Sequence, residues 1–413
     1  MAGEVSGARA GGPPQQKSQP APKPTPKPDS RARDQATPNS AEPRSRTLST
    51  PEPARHVREG AKAILRAGSP TTDQMKQHQG TGQYRFAGLN PYRDDVMGLR
   101  TDDRTMYGIY PPGKTGDQFE KAVASPGSIE LRQIFAHWDS PRKGVRALKK
   151  ELESVYDRGD RPVIHLGTDQ AGKTRASEAI SPGALARGEG DAYLTAVSQL
   201  LNSGKLVKNA SDQHVWVRPY AEMNGSFNPY SSHNPDGSAR DKDHAASQYQ
   251  KAFQRTSIIL HGGSVDDMND QLEDAGLPLL RTDKDIEASN KVAVIWNPHG
   301  RSDPDVPGNQ PEDYYPGDKY LDATAVDHYD NGYESTVTDI YNQFAKDKPF
   351  ILGEFGVQTD NPKATDAMFS WIRKHNIAAA MWYDGLGDRF STTDGSKPAT
   401  VDSLKRNLAT EGR

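Results

Sequence analysis

Two glutamates, each closing a short apolar run, give this chain the residue pair that glycoside hydrolysis requires. Glu222 follows Val215-Trp216-Val217-Arg218-Pro219-Tyr220-Ala221, and Glu354 follows Pro349-Phe350-Ile351-Leu352-Gly353. In that chemistry one carboxyl group protonates the leaving oxygen, while a second attacks the sugar or activates water. Their distance in sequence excludes a local ion pair on one helix face. The plainer reading of either residue alone is a buried glutamate held by a nearby arginine such as Arg218.

Such a pair works only if the fold brings both carboxyl groups together. Both runs read as buried parallel strands, with consecutive β-branched, aliphatic or aromatic residues before the acid and turn residues after it. Acids at the C-terminal ends of parallel strands stand where (β/α)₈ barrels build their active sites. Eight such runs are present: Thr105–Tyr110, Gln133–Trp138, Val163–Gly167, His214–Tyr220, Val292–Asn297, Ala323–Tyr329, Phe350–Phe355 and Ala378–Tyr383. Helical patterns lie between them, among them Val145–Tyr156, Gly190–Leu201, Ala245–Ile259, Ser335–Ala345 and Lys363–Lys374. The alternation predicts an α/β fold, one (β/α)₈ TIM barrel over residues 80–413. A doubly wound open sheet fits less well, because no Gly-rich phosphate loop follows an early strand.

Residues 1–75 read as a disordered leader. Pro20-Ala21-Pro22-Lys23-Pro24 and its neighbours bury too little apolar surface to offset their ordering entropy. One island, Pro53–Ala67, has helical spacing. The leader is a tail, or a segment that docks the enzyme to a partner. The chain holds 52 Lys and Arg against 55 Asp and Glu, a net charge of −3, so neither nucleic acid nor an anionic membrane is expected as partner. There is no cysteine, and no apolar stretch of about 18 residues that would span a membrane. The N-terminus lacks the apolar core of a classical signal peptide, which leaves a cytoplasmic location or a non-classical export route. A monomer is expected.

Arg218-Pro219-Tyr220-Ala221-Glu222-Met223-Asn224-Gly225-Ser226-Phe227 resembles the Arg-Pro-x-His-Glu-Met-Asn-Gly-x-Trp signature of glycoside hydrolase family 26. Trp296-Asn297-Pro298, Tyr314-Tyr315-Pro316-Gly317-Asp318, Val326-Asp327-His328-Tyr329 and the strand through Glu354 are similar to further segments of that family, in the same order. The resemblance covers roughly residues 105–390. It implies a retaining endo-β-glycosidase acting on a mannan-like or related polysaccharide, with Glu222 as acid/base and Glu354 as nucleophile. It further implies that Tyr329 donates to Glu354, that Trp382 floors the cleavage subsite, and that neither a metal nor an organic cofactor is needed.

Arg218 and Glu222 are an even number of residues apart, so on an extended strand both would face the barrel interior. There the arginine would orient a carboxylate. Asn224 either binds sugar hydroxyls or closes the turn. Phe227 and Trp296 are candidates for flanking sugar platforms, since pyranose faces pack on flat rings. Phe227, Trp138 and His165 read equally as core, and Tyr314 and Tyr315 lie in a loop, where stacking on an outer sugar is allowed but not demanded. Two departures unsettle the substrate: Ala221 replaces the family histidine and Phe227 its tryptophan. Either His137, His165 or His328 supplies the missing hydrogen bond, or the enzyme acts on a sugar other than mannose. A zinc hydrolase is disfavoured, because the first strand holds no His-x-His pair. Two other readings remain, a glycan-binding or effector protein of weak turnover and a depolymerase docked through its leader.

Overall fold

In the computed structural model, eight parallel strands pair in sequence order and close into a barrel. The structure describes residues 105–411 except 124–127, 171–176, 204–205, 207–213, 290, 346–347, 376 and 386–388. The expected leader and its helical island lie outside the described residues. The strands are β1 (Met106–Tyr110), β2 (Leu131–Trp138), β3 (Arg161–Gln170), β4 (Val215–Pro219), β5 (Val292–Trp296), β6 (Ala323–Tyr329), β7 (Phe350–Gly356) and β8 (Ala379–Tyr383). Each matches one of the expected runs, with ends displaced by up to three residues. Strand ends are set by pairing partners as well as by local sequence.

Helices cover the outer face, among them α1 (Lys114–Val123), α2 (Pro141–Tyr156), α3 (Pro182–Ala186), α4 (Asp191–Asn202) and α5 (Ala246–His261). Local signals fix their starts. Pro141 occupies the first turn of α2, where its missing N–H costs nothing, and the Ser181 side chain accepts from Ala184 N at the start of α3. The β5–β6 connection is made of two short 3₁₀ turns, Pro311–Tyr314 and Asp318–Tyr320.

Alternation along each strand divides side chains between the barrel interior and the helix layer. Met106, Leu131, Val163, Trp216, Ala293, Ile295, Ala323, Ala325, Ile351, Ala379 and Met381 fill the interior. One large ring, Trp216, fits there because its neighbours are mostly small, as close packing requires. Above this apolar plug the same inward positions turn polar: Gln133, Arg218, Asn297, Asp327 and Glu354, every one of them buried. The plug thus forms the floor on which the polar layer rests.

Candidate active site

A cavity of about 980 Å³ opens at the C-terminal ends of the strands, and Glu222, Tyr329 and Glu354 line it. The two glutamates reach it by different backbone devices. On β7 strict alternation would put Glu354 on the face of Phe350 and Leu352, which pack outward. Val326 pairs with Leu352, yet the next residue, Asp327, pairs with Glu354, so Gly353 is a bulge that turns Glu354 inward. Only glycine fits this position. A methyl group there would lie 2.5 Å from Asp327 Oδ1 and 3.0 Å from Arg218 Cζ, and would strike Asn297 Oδ1.

Glu222 is not on an extended strand, as its spacing from Arg218 had predicted. β4 ends at Pro219, and both Tyr220 (φ 53°) and Glu222 (φ 58°) are left-handed. The first turns its ring outward against Tyr230 and Tyr249. The second aims its carboxyl group at the cavity, held by Glu222 N donating to Asn297 O at 2.7 Å. Non-glycine residues rarely adopt this conformation, and the strain sits at the residue whose direction matters.

Glu354 accepts from three sides. Gln133 Nε2 donates to Oε1 at 2.6 Å, Tyr329 Oη donates to Oε2 at 2.5 Å, and both Nη atoms of Arg218 lie 3.4 Å from Oε1. Arg218 also donates to Gln133 Oε1 and Gly353 O, each at 3.0 Å, and to Asp327 Oδ2 at 2.5 Å. Burial acts to lower the Arg218 pKa, but the carboxylates of Asp327, Glu354 and Glu222 outweigh it and hold the guanidinium charged. Burial pushes the Asp327 carboxyl well above its usual range; Arg218 opposes this, and the charges of Glu354 and Glu222 add to it. Burial, and then Glu354, likewise push the Tyr329 hydroxyl far up, so it stays a donor.

One oxygen from each of Glu222, Asp327 and Glu354 lies within 4.8 Å of the others. Such a set can ligate a hard cation. Here the Arg218 guanidinium already takes Asp327 Oδ2 and approaches Glu354 Oε1, supplying the positive charge that an ion would bring.

The remaining expected residues separate into two groups. Phe227 lines the cavity at 39% exposure, its ring edge-on to His299 at 5.9 Å. His137, His165 and His328 line it too. His137 bonds to Asp169 at 2.6 Å, which raises its pKa, while burial lowers that of His328 to about 4. Ala221 is buried, and its carbonyl accepts from Tyr230 Oη at 2.5 Å.

Trp296 and Trp382 are corrections, since neither reaches the cavity. Both alternate outward: Trp296 packs on Tyr315 and Phe344, and Trp382 on Phe355 and Phe119. Asn224 is a clamp rather than a sugar contact. Its Nδ2 donates to His299 O at 2.9 Å and its Oδ1 accepts from His299 N at 2.8 Å, tying the β4 and β5 loops. Arg218 is wholly buried beneath Glu354 and acts on the carboxylates. Tyr314 is buried, with its hydroxyl bonded to Asn309 Oδ1 at 2.5 Å.

The aromatic wall comes from residues that were not expected. Tyr110 stacks on Tyr383 at 5.0 Å and meets Phe135 edge-on at 4.7 Å, while Phe390 packs on Tyr329 at 4.5 Å. Gln133 and Asp327, also unassigned from sequence, complete the polar floor. One signal for Tyr383 was available, since it is the next residue after Trp382 and has the opposite parity.

The barrel is similar to the crystal structure of the YdhT protein from Bacillus subtilis, at 17% identity over 78% of this chain and 92% of that one, with a TM-score of 0.51. Bacillus subtilis mannanase man26 aligns at 16% identity over 75% of this chain and 88% of that one, TM-score 0.49. The catalytic domain of Bacillus sp. JAMB-750 GH26 endo-beta-1,4-mannanase aligns at 13% identity over 78% and 88%, TM-score 0.49. At such identity the likeness is one of fold. No protein-family model matches the sequence, and no curated protein matches it.

Proposed function

We propose that this protein is a retaining endo-β-glycosidase, with Glu222 as general acid/base and Glu354 as nucleophile. The observation that carries the reading is the approach of their carboxylate oxygens to within 4.8 Å beside an open cavity. Retaining enzymes hold their carboxyl groups about 5–5.5 Å apart, whereas inverting enzymes leave about 6.5–9.5 Å for an intervening water.

That spacing supports a two-step displacement. Glu354 attacks the anomeric carbon as the glycosidic C–O bond breaks, and the Glu222 proton passes to the leaving oxygen. Water then gives its proton to Glu222 and attacks the same carbon, releasing Glu354. Donors on both oxygens suit Glu354 to the ionised form that attack requires. Three carboxyl groups beside one guanidinium favour one retained proton, since like charges this close resist joint ionisation. Tyr110, Tyr383 and Phe390 supply ring faces for the sugar.

The test is hydrolysis of β-mannan, mixed-linkage glucan, β-xylan and bacterial exopolysaccharides, with the first-formed anomer read by NMR. Release of the β-anomer is expected. An α-anomer would remove the nucleophile role of Glu354. Tight binding without turnover would instead favour the glycan-binding reading, to which Ala221 lends support.

The donors to Glu354 make a second prediction. Tyr329→Phe removes one hydrogen bond to a charged group, and Gln133→Leu removes two, one to Glu354 and one from Arg218. At about 1.5–3 kcal/mol per bond, the first is expected to lower kcat/KM about 10–100-fold and the second at least as much. Steady-state kinetics on the best polymer would measure this. Unchanged kinetics in both would show that Glu354 is oriented without them.

A further inference from the structure

Beside the main cavity lies a second basin of about 680 Å³ that the proposed chemistry does not use. Phe227, Asn228 and Pro229 line both, so the two join across one saddle. Phe227 and Leu279 are the exposed large hydrophobic residues among those described, and Phe227 is the one at a cavity. Its exposure is built in. The ring lies so close over Gly225 that a methyl group there would collide with it. Arg240 pins the surrounding loop, donating to Ser226 O at 2.8 Å, to Asn228 O at 3.1 Å and to Pro229 O.

The basin itself holds an ordered charged set. His244 Nε2 lies 2.9 Å from Glu178 Oε2, and its Nδ1 lies 2.8 Å from Asp241 Oδ1. With a carboxylate against each nitrogen, the ring donates twice and so carries a proton. Glu178 first, and Asp241 after it, raise the His244 pKa against the opposing effect of burial. Asp241 is 68% exposed, and among the described residues only its Oδ1 accepts hydrogen bonds. A ring platform leading to fixed carboxylate acceptors is the surface that successive hydroxylated sugars recognise.

We infer that this basin is a distal subsite for the leaving-group end of a glycan chain, reached across Phe227. The inference rests on the glycosidase reading, because the loop from Ser226 to His244 directly follows the proposed acid Glu222. It commits the substrate to a polymer with further sugars beyond the one that Glu222 protonates.

The test compares wild type with Asp241→Ala and His244→Ala. Substrates are β-1,4-linked manno-, gluco- and xylo-oligosaccharides from disaccharide to hexasaccharide, and the matching nitrophenyl glycosides, whose activated leaving group needs no second sugar. Wild-type kcat/KM should rise with chain length. Both variants should lose about tenfold on long chains, the effect of one lost sugar contact, and nothing on the nitrophenyl glycosides. Because Asp241 is largely exposed, its variant guards against misfolding as the explanation. Equal losses on both substrate types, or none on either, would overturn the subsite and leave the glycosidase reading standing. If nothing is hydrolysed, the glycosidase reading falls and calorimetry decides the basin. Affinity that grows with chain length and is lost in both variants supports it; affinity that is absent or independent of length overturns it.

Discussion

Glu354→Gln is expected to lower kcat by about 10⁴-fold or more, the scale seen when a covalent nucleophile is removed. Glutamine keeps the shape of a side chain that contacts Gln133, Tyr329 and Arg218, so the fold should persist. Glu222→Gln should fall as far on a natural polymer, but for a different reason. It lacks the proton for the leaving oxygen and the base for water. An aryl glycoside with an activated leaving group bypasses the first defect, so this variant should release one burst of phenol and then stall. Azide, which needs no base, should restore its turnover and yield the β-glycosyl azide. With Glu354→Ala, which unlike glutamine opens room for the anion, azide would attack from the nucleophile's side and give the α-azide. The two anomers therefore assign the roles separately. The same azide product from both variants would remove the assignment, and polymer hydrolysis surviving either substitution would remove that residue from the chemistry.

What the sequence disclosed about this site follows from which signals are local. Eight apolar runs with acids at two of their ends were enough for the barrel and for the glutamate pair, because strand length and strand-end chemistry are written in consecutive residues. The direction of each side chain was harder to read. Parallel barrel strands are buried on both faces, so Val292-Ala293-Val294-Ile295-Trp296 shows no polar alternation to tell inside from outside. Trp296 and Trp382 looked like platforms because they end strands, yet each shares the parity of outward residues, and it is Tyr383 that lines the cavity. For Glu354 parity misleads in the opposite direction. It predicts an outward carboxylate, and the pairing of β7 with its neighbours β6 and β8 reveals the bulge at Gly353 that corrects it. Likewise Gln133 and Asp327 sit within runs that read as core strands. Their purpose emerges when Arg218, from a third strand, arrives between them.

Arg218→Met should be the most destabilising single change at this site. The guanidinium is fully buried, and it is paired with both Asp327 and Glu354. Methionine can fill the volume of the stem, so the loss is mainly electrostatic. Two buried carboxylates left without their cation cost about 3–5 kcal/mol. The pH dependence distinguishes this from a packing defect. Burial already raises the Asp327 pKa, with Arg218 opposing, so removing Arg218 raises it further. A carboxyl group whose folded pKa exceeds its unfolded value, about 3.9, binds more protons when folded. Stability then falls as pH rises above that value. The deficit relative to wild type should therefore be smallest at acid pH, where Asp327 is protonated in both proteins, and grow as pH rises through the raised wild-type Asp327 pKa. Urea unfolding at acid and neutral pH would measure it, and a deficit independent of pH would assign the loss to packing. Adding Asp327→Asn to Arg218→Met should recover part of the stability at neutral pH, a coupling expected only of charges in direct contact. Activity should not recover with it, because Glu354 would still lack the cation that approaches its Oε1 and fixes Gln133 beside it.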